Sequence, residues 1–270
     1  MKTSLKAMTA LVALGLALPM AAEAHRSWLL PSTTVLSGDD PWITVDAAVS
    51  NDLFYFEHNP MRLDGLAITG PDGAEIQAEN SATGKFRSTF DAHLTKPGTY
   101  KIAVASDGMM GRYKLNGEDK RWRGSADKLA EIPAGATDVE ISQNQRRLET
   151  FVTAGAPNET ALKTTGVGLE LVPVTHPNDL FAGEEATFRL TLDGKPAAGL
   201  DVTVIPGGIR YRTQLNEMTL KTDAEGAFKV TWPEPGFYWI SASARDAKPT
   251  VEKASRRSSS YAATVEVLPQ

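Results

Sequence analysis

The sequence predicts an all-β protein: two β-sandwich domains of immunoglobulin-like kind behind a cleaved export signal. Three observations carry this. Apolar and polar residues alternate over short runs, which is the period of half-buried strands. Clusters of Gly, Pro, Asn and Asp punctuate those runs at close spacing. Beyond residue 24 no segment has eighteen consecutive apolar residues, so the mature chain is expected to have no membrane span.

The opening residues read as a secretory signal. Lys2 and Lys6 precede an apolar run from Ala7 to Ala22, and Ala22-Glu23-Ala24 fits the small-x-small cleavage pattern. Cleavage after Ala24 places the mature protein in the periplasm and makes His25 its first residue. A chain of 270 residues suggests about two domains. The expected division is a signal peptide at 1–24, a first sandwich at 25–165 and a second at 166–270.

Elements follow in order. Residues 27–36 are largely apolar and end in the turn Ser37-Gly38-Asp39-Asp40-Pro41. Residues 42–49 alternate, with Ile43, Val45, Ala47 and Val49 on one face. The loop 50–60 then sets Phe54, Tyr55 and Phe56 among Asp52, Glu57 and His58, and loops on rigid β scaffolds are where binding residues collect. Strands at 65–69 and 74–78 flank the turn Gly70-Pro71-Asp72-Gly73, and strands at 85–90 and 99–105 flank a loop with His93, Lys96, Pro97 and Gly98. A basic, aromatic hairpin covers 106–123. One short helical turn is expected at 125–130, a polar excursion over 131–147 and a closing strand at 146–153. In the second half, strands are expected at 168–173, 185–192, 200–206, 218–222, 227–232, 236–244 and 261–268, with a hairpin turn at Asp193-Gly194-Lys195-Pro196. Residues 247–260, with Lys248, Lys253, Arg256 and Arg257, read as a mobile basic loop.

Composition narrows the functional classes. The net charge of −5 makes nucleic acid a poor partner. There is no cysteine, so an exported chain must be held by its core alone, and any metal site must use His, carboxylate, Met, backbone or the terminal amine. No Gly-x-Ser-x-Gly elbow, phosphate loop or His-Glu-x-x-His motif is present, so the chain is not expected to be an enzyme.

Residues 191–240 contain Gly194-Lys195-Pro196, Thr222-Asp223-Ala224-Glu225-Gly226 and Pro235-Gly236-Phe237-Tyr238. They resemble the immunoglobulin-like modules of many bacterial exported proteins. His25 with Trp28-Leu29-Leu30-Pro31, Val172-Pro173 and the Gly-Lys-Pro module together resemble a bacterial periplasmic family of unknown function described as the nickel-uptake substrate-specific region. That resemblance implies a two-sandwich protein associated with uptake of nickel or a related transition metal. It also implies a membrane metal transporter or an outer-membrane receptor as partner.

Four histidines are present. His25, once terminal, offers an imidazole and an α-amine, a pair that suits nickel, copper, cobalt or zinc. His58 lies in the acidic, aromatic loop and is the expected second ligand. His176, in Thr175-His176-Pro177-Asn178-Asp179, reads either as a turn residue before proline or as a ligand between domains, beside Asp179. His93 and Glu57 are further candidates. Met109-Met110 suits Cu(I) or simple packing. The basic hairpin reads as a solvated one, with an anionic partner or glycan as the alternative.

The function these residues predict is a periplasmic transition-metal-binding protein that aids nickel uptake or delivery, with His25, His58 and His176 as ligands. The alternatives are a copper-dependent oxidative enzyme using an N-terminal His, and a metal-free adhesive or scaffold sandwich. Mass spectrometry of the exported protein should find a chain that begins at His25. Residues retained before it would remove the α-amine from the donor set.

Overall fold

The computed structural model describes residues 25–270, and the predicted signal at 1–24 lies outside them. The first half supplies β1 (Arg26–Pro31), β2 (Val35–Leu36), β3 (Trp42–Ser50), β4 (Asn59–Pro60), β5 (Leu66–Thr69), β6 (Glu75–Ile76), β7 (Glu79–Thr83), β8 (Ser88–His93), β9 (Gly98–Leu115), β10 (Glu118–Gly124) and β11 (Thr137–Ala154). The second supplies β12 (Leu169–Pro173), β13 (Glu185–Leu192), β14 (Lys195–Pro196), β15 (Asp201–Pro206), β16 (Met218–Lys221), β17 (Ala227–Thr231), β18 (Gly236–Asp246) and β19 (Arg256–Val267). The helical turn at Ala126–Glu131 is 3₁₀. The all-β class therefore holds, and the strands pack as β-sandwiches.

Three sheets build it. A five-stranded sheet runs β1-β3-β8-β7 with β4 on β3, and a four-stranded sheet runs β12-β13-β14 with β17 on β13. Between them a ten-stranded sheet runs β16-β15-β18-β19-β11-β9-β5-β6, with β10 on β9 and β2 on β11. It joins both halves of the chain through β11 and β19, which pair in parallel from Ser142↔Arg256 to Thr150↔Thr264.

Side chains alternate between the two faces of a sheet, and here each face carries its own core. Leu148 and Val152 of β11, with Tyr100, Ile102 and Val104 of β9, pack on Leu29, Ile43, Val45 and Phe90 of the five-stranded sheet. Phe151 of β11, with Tyr261, Ala263 and Val265 of β19, packs the other way, on Leu171, Phe188, Leu190 and Phe228 of the four-stranded sheet. The two sandwiches thus sit on opposite faces of one shared sheet. Phe151 and Leu162, from the first half, pack into the second core; the other residues of the two cores divide on either side of residue 165.

Turn chemistry follows the sequence. Asp193 and Gly194 both take positive φ, 52° and 73°, as a two-residue hairpin loop demands. Two expectations are corrected. Most of the supposed polar excursion at 131–147 is strand, since β11 begins at Thr137. Its alternation was hidden because the buried positions include Gln143 and Gln145, whose amides donate to Asp107. The basic stretch at 247–260 is likewise only partly loop, because β19 begins at Arg256. Arg257 is 3% exposed and binds Asp193 at 2.7 Å and Asp246 at 2.6 Å. A buried, paired arginine reads as polar loop in any hydropathy pattern. Replacing Arg257 with Ala leaves two carboxylates without their counter-ion and should cost about 3 kcal/mol in urea unfolding. The same change at exposed Arg256 should stay within about 0.5 kcal/mol.

Candidate metal centre

The end of β3 places the site. β1 and β4 flank it on opposite sides, Arg26 beside Ser50 and Asn59 beside Val49. His25 precedes β1 and His58 precedes β4, so both histidines arrive at the same strand end. Their rings stack, with centroids 3.8 Å apart and planes 14° apart.

The loop between β3 and β4 is anchored on both its polar and apolar sides. Arg26 donates to the Asn51 carbonyl at 2.7 Å, and Ser50 Oγ donates to the Asp52 carbonyl at 2.5 Å. The Glu57 carboxylate accepts the amides of Asn51 and Asp52 at 3.1 and 3.2 Å. Trp28 Nε1 donates to Ser50 Oγ at 3.1 Å. Leu53 is buried, and Phe54 and Phe56 pack on Trp28 with Ile205 and Trp239 beyond. Phe54 has φ 62° and reaches Gly207, where an added Cβ would stand 2.9 Å from its ring. The aromatics that marked this loop in the sequence are therefore its anchors, and His58 is what they hold in place. Glu57 is occupied by the loop's own backbone.

His25 and His58 are exposed, and neither ring hydrogen-bonds to another described residue. The other two histidines are engaged. His93 stacks on Trp42 at 4.2 Å and binds Asp40 at 2.5 Å. His176 Nδ1 accepts the Asn178 amide at 3.2 Å, and its Nε2 faces the Asn158 carbonyl at 3.3 Å and Thr99 Oγ1 at 3.0 Å. Thr99 pairs with Thr153 in the β9–β11 ladder, whereas His25 borders a cleft alongside Asn144–Leu148 in β11. That separates His176 from His25 by about 20 Å along the strand. The structure thus brings His25 and His58 together and holds His176, with Asp179 beside it, elsewhere. Among the described residues no cluster of three or more His, Cys, Asp or Glu side chains could hold a metal. Met109 is 1% exposed in a small core, while Met110 points outward at 42%, so the two do not face one site.

Sequence reasoning missed one functional-looking feature: a second polar face next to His25. Arg146 lies there with Asn144, Ser258 and Ser260 in a cleft of about 410 Å³. The serine-arginine run at 255–260 was its only signal.

A β-sandwich scaffold presenting two exposed, stacked imidazoles at one strand end defines the class of site. Residues 22–246 match the family described as a domain of unknown function, DUF4198, and the chain belongs to that family. No curated protein matches the chain. Among solved structures it is similar to the D0-D1 domain of intimin, at 15% identity over 89% of this chain and 97% of that one, with a TM-score of 0.24. It is also similar to Escherichia coli alpha-2-macroglobulin activated by porcine elastase, at 10% identity over 88% of this chain and 30% of that one, with a TM-score of 0.22. At those TM-scores the likenesses carry no argument.

Burial lowers the His176 pKa from its usual 6.5, against weaker opposing pulls from the Asn158 carbonyl and nearby carboxylates. The unfolded chain therefore takes up that proton first. His176 contributes full stability above about pH 6.5, and the contribution is lost as pH falls toward the lower folded value. Urea unfolding should show stability dropping between about pH 7 and pH 5, and His176→Gln should flatten that drop.

Proposed function

We propose that this protein is a periplasmic transition-metal-binding protein that assists uptake or delivery of nickel, with cobalt and copper as chemically similar cargo. The observation that carries the reading is the contrast among the four histidines. His25 and His58 stack with ring centroids 3.8 Å apart, and neither ring hydrogen-bonds to another described residue, while His93 and His176 are consumed by structural contacts.

The donor chemistry fits. Two imidazoles suit nickel, copper, cobalt and zinc, and after cleavage at Ala24 the His25 α-amine becomes a third nitrogen donor. The amine is less basic than a lysine amine, so it is freed for coordination nearer neutral pH. The site is exposed, which suits a protein that must also hand its cargo on. Three nitrogen donors leave coordination positions open to a receiving protein, of which a membrane transporter or an outer-membrane receptor is the expected kind. Among the described residues no helix is long and apolar enough to cross a membrane.

Titration of the metal-free mature protein with nickel should give one site per chain. His25→Ala and His58→Ala should each weaken it at least about tenfold, since each removes a donor. His176→Ala should leave it unchanged. Equal affinity in wild type and the His25 and His58 variants would sink the reading, and would leave a metal-free scaffold as the function to test.

A further inference from the structure

Beyond Leu148, the ten-stranded sheet continues past the edge of the five-stranded sheet, and this face lies open. Its register sets side chains in rows. Asn144 on β11 lies beside Ser258 on β19, and Ser258 lies beside Arg245 on β18. In the next row toward His25, Arg146 lies beside Ser106 and Ser260. At the far end, Arg112 on β9 faces Arg121 on β10. Two clefts of about 450 and 410 Å³ occupy this face and share Asn144 and Ser258, and the second reaches His25.

Arg112, Arg121, Arg146 and Arg245 have no carboxylate partner among the described residues. The carboxylates at hand are already taken, Glu140 by Arg256 at 2.9 Å and Asp246 by Arg257 at 2.6 Å. Arg112 and Arg121 stand directly opposite each other, an unfavourable like-charge pair, and Glu140, which flanks Arg112 on its other side, is drawn to Arg256. This concentration of cations sits on a chain of net charge −5, so it is a local reversal rather than general basicity. Arg146 keeps accessible surface, yet the protein around it already lowers its pKa by desolvation.

We propose that this open face binds a small molecule carrying two or more carboxylates. Arg146 and Arg245 lie one row and two strands apart, about 12 Å between backbones, a span that one small polycarboxylate bridges between two long side chains, whereas the Arg112 row lies about 20 Å from Arg146 and stands outside that grip. Guanidinium groups pair with carboxylates in a bidentate fork, and the hydroxyls and amide between them supply further donors. The clefts lie in the size range of small-molecule sites. Because the face ends at His25, a bound carboxylate and the histidine pair come within reach of one metal ion. On that extension, which rests on the metal reading above, the cargo is a metal–polycarboxylate chelate.

Calorimetry at low salt on the metal-free mature chain tests this, with citrate and inorganic pyrophosphate as probes. Citrate should bind, and Arg146→Gln combined with Arg245→Gln should weaken it at least tenfold. Arg62→Gln, an exposed arginine outside this face, should bind as wild type does. A thermal melt of the double variant matching wild type excludes misfolding. Equal citrate affinity in wild type and the double variant overturns the proposal, and tighter binding of pyrophosphate than citrate overturns the carboxylate class. Added nickel should tighten citrate binding in wild type but not in His25→Ala, whose metal-free citrate affinity should be unchanged. Citrate binding that ignores nickel in wild type removes the chelate extension and leaves the anion site standing.

Discussion

The structure depends on one pairing, the parallel seam between β11 and β19. Each half of the chain ends in one of these strands, and their hydrogen bonds turn two sheets into one. Parallel strands are stable mainly when both faces are buried, and that condition is met only toward the Thr150 end of the seam, where Leu148 faces one core and Tyr261 and Ala263 face the other, while one face of its Asn144 end lies open. The seam leaves no free edge at the junction of the halves and so removes a strand-pairing hazard. It also fixes the two sandwiches relative to each other, because they share a layer rather than a linker.

Close to the seam, the connection at 163–170 is tied down by charge. Glu170 is 1% exposed and accepts from the Thr165 and Gly166 amides. Buried Glu149 accepts from the Tyr261 hydroxyl at 2.8 Å, with Arg147 at 3.4 Å, and Lys101 donates to the Lys163 carbonyl at 2.6 Å. Burial raises the Glu149 pKa, with Lys101 and Arg147 pulling it back, and raises that of Tyr261 well above its usual value. Such a cluster contributes more to specifying how the chain crosses between sandwiches than to net stability, since desolvation offsets the attraction of its charges.

Both functional features are products of where one sheet stops covering another. The five-stranded sheet ends at His25 and the loop before β4, and there the two imidazoles meet. Beyond that edge, the shared sheet exposes its serine and arginine rows. The proposed metal site and the proposed anion face, side by side, suit a cargo that is itself a complex; the two histidines sit next to the ends of β1 and β4, and the arginines of the face lie on strands.

The sequence by itself determined the all-β class, most strand positions and the turn at Asp193-Gly194, because alternation and turn residues are local properties of the chain. It also singled out His25, His58 and His176 by residue type and placement. Only the tertiary structure decided that the first two meet while His176 stands apart, since that depends on β1 and β4 flanking the same end of β3. It alone showed that the aromatics at 54 and 56 are anchors, and that Arg257 is a core residue. The sheet shared by the two halves was invisible for the same reason. Its seam joins residues about a hundred positions apart, from Ser142↔Arg256 to Thr150↔Thr264, and no local pattern records which distant strand will lie alongside.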